Sequence, residues 1–117
     1  MIAAKYDLVC EQGSTFAVTL FRKEADGVTA VPLAGYTARM HVRQSPRFNT
    51  TLLTMTSANS QILLSITPGQ IDLRLTPAVT AVLAAGTYVY DLELEDGGGI
   101  VTKILRGTFT VRPEVTR

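Results

Sequence analysis

Tryptophan is absent from the 117 residues, cysteine and histidine occur once each, and only 18% of positions are charged. A lone cysteine, Cys10, cannot close an internal disulfide, so a disulfide-scaffolded secreted domain is excluded. There is no G-x-S-x-G, no P-loop, no dinucleotide glycine fingerprint and no Cys/His spacing for zinc. An enzyme is therefore not expected, and no cofactor is implied. The missing tryptophan also removes the usual flat platform for carbohydrate. Eleven Lys+Arg against ten Asp+Glu leave a formal net charge of +1, without the basic excess that coating nucleic acid needs. No run approaches the roughly 18 apolar residues of a membrane span. The start, MIAAKYDLV, lacks a basic n-region followed by an apolar h-region, which suggests folding in a cytoplasm with no membrane partner.

What is present is a hydrophobic fraction of 46%, enough for a self-sufficient core in one domain over residues 1–117. No internal repeat or Pro/Ser-rich linker divides the chain.

Period-two alternation dominates. Phe16, Val18 and Leu20 fall on one face of Ser14 to Arg22, and Ala38, Met40 and Val42 on one face of the next run, with Tyr36 ahead of them. Ile62, Leu64 and Ile66 alternate in the same way, as do Ile71, Leu73 and Leu75. Tyr6, Leu8 and Cys10 suggest a first strand. Thr87 to Glu95 and Ile100 to Arg112 make a closing hairpin across Asp96-Gly97-Gly98-Gly99, with Tyr90, Leu92 and Leu94 inward. Adjacent Ile104 and Leu105 unsettle the parity of the last strand beside Gly107, which predicts a β-bulge there. The loops fall at Lys23 to Val31, Gln44 to Thr50 and Ser57 to Ser60. Thr76-Pro77 followed by AVTAVLAA and Gly86 predicts one short helix over about 76–85, with Val79, Val82 and Leu83 closing the core. Such a pattern of short strands describes an all-β sandwich or barrel.

Few residues invite chemistry. Cys10 shares the inward parity of Leu8 and reads as core. His41 lies between Arg39 and Arg43 on an outward face, with no carboxylate near in sequence to orient it, and reads as a surface histidine. Asp91, Glu93 and Glu95 project from one face of a strand, roughly 7 Å apart. That row raises calcium, which requires oxygens converging on a point; a flat row does not converge, so a solvated face partly neutralised by Lys103 and Arg106 is expected, and no metal. Pairing of this stripe within the chain or with a neighbouring copy is left open.

Arg39, His41 and Arg43, extended by Arg47 and Phe48 in the following loop, form the candidate interface. Arginine forks suit partner carboxylates, and an aromatic in a polar loop suits a partner pocket; Phe48 folding back on its own sandwich is the alternative.

Four stretches read together, YDLVCEQGSTFAVTLF, LAGYTARMHVR, IDLRLTPAVTAVLAAGTYVYDLELE and RGTFTVRPEVTR, resemble small phage and prophage virion proteins. They are similar to the N-terminal domain of phage baseplate upper proteins, through Gly13, Leu33 with Gly35 and Tyr36, Gly86 with Tyr88, and Gly107. The resemblance implies an immunoglobulin-like antiparallel β-sandwich of about seven to eight strands. It also implies a non-enzymatic structural or adaptor subunit of a virion, at the tail, baseplate, neck or capsid surface. The larger relatives continue into a stalk and receptor-binding region, whereas this chain stops at Arg117, which favours a free-standing subunit. Its partners would be other virion proteins or, as a homo-oligomer, further copies of itself. It would pass from the host bacterial cytoplasm into the virion. A stand-alone soluble binding module for glycan or calcium is the alternative.

Overall fold

Two sheets face each other across one core in the computed structural model, which describes residues 4–23, 31–45, 47, 51–64 and 68–115. The larger sheet holds β1 (Ala4–Lys5), β2 (Leu8–Glu11), β4 (Thr37–Arg43), β5 (Thr51–Thr56), β8 (Gly86–Glu95) and β9 (Val101–Arg112). Its order is β1-β9-β8-β4-β5, with β2 also on β9. The smaller holds β3 (Phe16–Phe21), β7 (Gln70–Leu75) and β6 (Ile62–Leu64), in that order. The alternation predicts a sandwich or barrel, and the structure is the sandwich, of immunoglobulin-like type. Two pairings within it are parallel: β1 and β2 both run alongside β9, Ala4 opposite Leu105 and Leu8 opposite Phe109.

The core follows the parity. Met40, Val42, Ile71, Leu73, Leu92 and Leu94 are buried, as are Phe16, Ala38 and Tyr90, while Val18 and Leu20 pack against them partly exposed. Phe16 and Phe109 bring their ring centroids to 5.5 Å across the two layers, setting β3 over β9. Met55 and Leu53 complete the far side from β5, a strand expected only from the loops on either side of it. Adjacent Leu52 and Leu53 obscure its alternation. Tyr6, placed inward by parity, is instead exposed at an open side of the sandwich. Phe48 and Ile66 lie outside the described residues.

The helix is shorter than predicted. It is α1 (Pro77–Ala81), with Thr76 as N-cap accepting the Val79 N–H. The Thr80 hydroxyl donates to the Ser14 carbonyl at 2.8 Å, and the Gln12 amide donates to the Leu83 carbonyl at 2.7 Å. These two tethers turn the chain inward at Leu83, which is buried, and leave Val82 exposed rather than in the core.

The bulge sits at Ile104. Leu92 pairs with Leu105 but Glu93 pairs with Lys103, so Ile104 is the extra residue. Gly107, opposite Tyr90, has a different role: a Cβ there would overlap the Tyr6 carbonyl. That carbonyl accepts the Tyr90 hydroxyl at 2.5 Å.

Candidate functional site

Antiparallel pairing places β4 beside β8, which brings the basic and acidic stripes of the sequence onto one outward surface. Arg39 stands opposite Glu93, His41 opposite Asp91, and Thr37 opposite Glu95. On the other side of β8, Asp91 faces Arg106 and Glu93 faces Lys103. A continuous cross-strand row therefore runs Lys5, Arg106, Asp91, His41, Thr54 over five strands.

The acidic stripe pairs within the chain. Arg39 Nε donates to Glu93 Oε2 at 2.8 Å and its Nη1 lies 3.7 Å from Glu95. Lys103 Nζ lies 3.3 Å from Asp91 and 4.0 Å from Glu93. The hydrogen bond to Glu93, with its charge, raises the Arg39 pKa further. Such exposed pairs add little stability singly, yet they hold the side chains that shape the face. Asp96 is engaged too, its Oδ1 accepting the N–H groups of Gly98 and Ile100 to close the hairpin turn. Among the described residues no three His, Cys, Asp or Glu side chains are grouped to hold a metal ion.

Between these long side chains lies a shallow depression of about 600 Å³. It forms because the next row across is short: Val89 opposite Thr108, flanked by taller Arg43, Lys5, Arg106 and Lys103. Four cations (Lys5, Arg43, Lys103, Arg106) and two carboxylates (Asp91, Glu93) line it, an excess of two positive charges. Both carboxylates are already met by Arg39 or Lys103, and among the described residues neither Lys5 nor Arg106 forms an ion pair. Beside the basin Asp7 accepts the Thr108 N–H at 3.1 Å, which lowers its pKa.

Of the sequence-derived interface residues, Arg39, His41 and Arg43 share this face. His41 is half-buried, with its Nδ1 3.2 Å from an Arg43 Nη2. The carboxylate absent from its sequence neighbourhood arrives through the fold as Asp91. Arg47 is exposed in the loop after β4, and Phe48 lies outside the described residues. Lys5 and Arg106 were not singled out as interface residues; only the parallel pairing of the N-terminal strand with β9 brings Lys5 to the basin. Cys10 is buried, and burial pushes its thiol pKa up to about 11.

No protein-family model matches the sequence, and no curated protein matches it. A similar solved structure is that of CopC from Methylosinus trichosporium OB3b, with 16% sequence identity and a TM-score of 0.50. The match covers 98% of this chain and 90% of that one. At this identity the likeness concerns the fold alone. It overturns the resemblance to phage virion proteins, since the chain's likeness runs to CopC and no family or curated match joins it to a baseplate protein. The virion role and the route from a host cytoplasm into a virion fall with that resemblance. The physical reason is that its motifs are fold signatures. Gly35 has φ +82 in the turn where the Tyr36 N–H reaches the Leu33 carbonyl, Gly86 opens β8, and Gly107 admits the Tyr6 carbonyl. A sandwich of this topology needs such residues whatever it binds.

Proposed function

We propose that this domain is a non-enzymatic binding module that takes an acidic protein surface on the outer face of its six-stranded sheet. The observation that carries this reading is the cation excess in the basin, where Lys5 and Arg106 remain outside the ion pairs that neutralise Asp91 and Glu93. Guanidinium and ammonium groups beside a shallow, partly apolar floor suit carboxylates presented by a partner. The groups best able to act as nucleophile or base are otherwise occupied: the Cys10 thiol is buried and His41 is engaged with Arg43. The calcium alternative is disfavoured because Asp91, Glu93 and Glu95 each lie beside a cation of the same chain.

Fluorescence anisotropy with labelled poly-L-glutamate and poly-L-lysine tests this reading. Poly-L-glutamate is expected to bind, more weakly as salt rises, and to be lost on Lys5→Glu with Arg106→Glu. Equal binding of both polymers, or binding unchanged in the variant, would refute it.

A further inference from the structure

A second surface opens where the two sheets differ in width. The three-stranded sheet does not cover the whole of the six-stranded one, and a groove of about 390 Å³ is left between the edge strands β1 and β3. Its walls are apolar: Leu20 from β3, and Ile104 and Leu105 from β9, with fully buried Ile71 as the floor. The bulge contributes here, because the extra residue it inserts is Ile104. Two aromatic side chains stand at the rim, Tyr6 at 47% and Phe21 at 59% exposure. Isolated exposed apolar residues are ordinary, but two aromatics bordering one apolar groove mark an interaction surface.

Three features define the occupant. Among the described residues both β1 and β3 are terminal in their sheets, so each presents a backbone edge along the groove, that of β3 only as far as Phe21, because beyond it the Arg22 carbonyl accepts the Val31 N–H at 3.0 Å. An extended chain can hydrogen-bond to such an edge while every second side chain enters the groove. The groove also ends at two cations, Arg22 and Lys23. Arg22 Nε is buried and, among the described residues, has no hydrogen-bond partner, which leaves a donor wanting an acceptor.

From these features we infer that the groove receives an extended segment of a partner protein, with alternating apolar side chains and a carboxylate at the end facing Arg22 and Lys23. The inference goes beyond the basin on the sheet face and rests on different residues.

The test is selection of a random ten-residue peptide display library on the intact protein, followed by sequencing. Enriched peptides should alternate apolar residues and carry Asp or Glu near one end. Their recovery should fall about tenfold on Phe21→Ser, as for loss of an aromatic anchor. It should lose its acidic preference on Lys23→Glu. Both substitutions fall at exposed side chains, and unchanged thermal unfolding checks the fold. Phe21→Ser should still bind poly-L-glutamate, and Lys5→Glu with Arg106→Glu should still recover the peptides, which separates this groove from the basin. No enrichment, enrichment of basic peptides, or recovery indifferent to Phe21→Ser overturns the inference. So does a dimer by sedimentation that Phe21→Ser converts to monomer, since that assigns the groove to a second copy.

Discussion

Arg39 and Glu93, 54 positions apart in sequence, meet at 2.8 Å on neighbouring strands. Their contact joins two stripes of opposite sign into one surface. The positive character of the sheet face therefore moves away from Arg39 and toward Arg106 and Lys5, where the basin lies.

Reversing Arg39 alone should set three carboxylates side by side. Arg39→Glu is expected to lower the thermal midpoint, and the swap Arg39→Glu with Glu93→Arg to recover most of the loss. The gap between single and double variants should shrink in high salt, as scanning calorimetry at two ionic strengths would read. Equal midpoints for the two variants would show that the pair contributes nothing.

Gly107→Ala should destabilise by about 1 to 3 kcal/mol, because its methyl group meets the Tyr6 carbonyl and the parallel strand must move off β9. Tyr90→Phe, which removes the donor to that same carbonyl, should cost about 1 kcal/mol. Urea unfolding measures both. A neutral Gly107→Ala would mean that the N-terminal strand does not lie where it is described.

The two stripes were legible because strand parity is local: Arg39, His41 and Arg43 alternate on one strand, and Asp91, Glu93 and Glu95 on another. Their mutual pairing was not, since the register between β4 and β8 joins residues 46 to 58 positions apart. Lys5 was invisible for the same reason, as nothing in AKYDLV announces a parallel partner a hundred residues on. The helix was overextended because capping and propensity continue through Val82, whereas the Thr80 and Gln12 tethers end it. The Gly-x-Tyr signals reported the sandwich faithfully and its biological setting not at all.

Cys10 should be silent toward an aromatic disulfide reagent at pH 8 in the native protein and reactive after unfolding. Its folded pKa, pushed by burial from 9.0 to about 11, adds stability that is complete below pH 9 and lost as pH rises through 11. The unfolded thiol ionises first, so the folded state holds the proton longer. Burial raises the Tyr90 pKa in the same sense, so the comparison must be with Cys10→Ala, whose stability should fall less steeply between pH 9 and 11. Identical slopes would contradict the buried thiol.

Calcium at millimolar concentration should leave the thermal midpoint unchanged, because Arg39 and Lys103 hold the carboxylates of β8. A rise abolished by Asp91→Asn with Glu93→Gln would establish a metal site on this face.

The basin on the sheet face is tested most directly by following backbone amide resonances while poly-L-glutamate is added. The account predicts shifts concentrated at Lys5, Arg43, Arg106 and Thr108, fading as salt is raised. Shifts confined to Tyr6, Phe21 and Lys23, or spread evenly over both sheets, would contradict it.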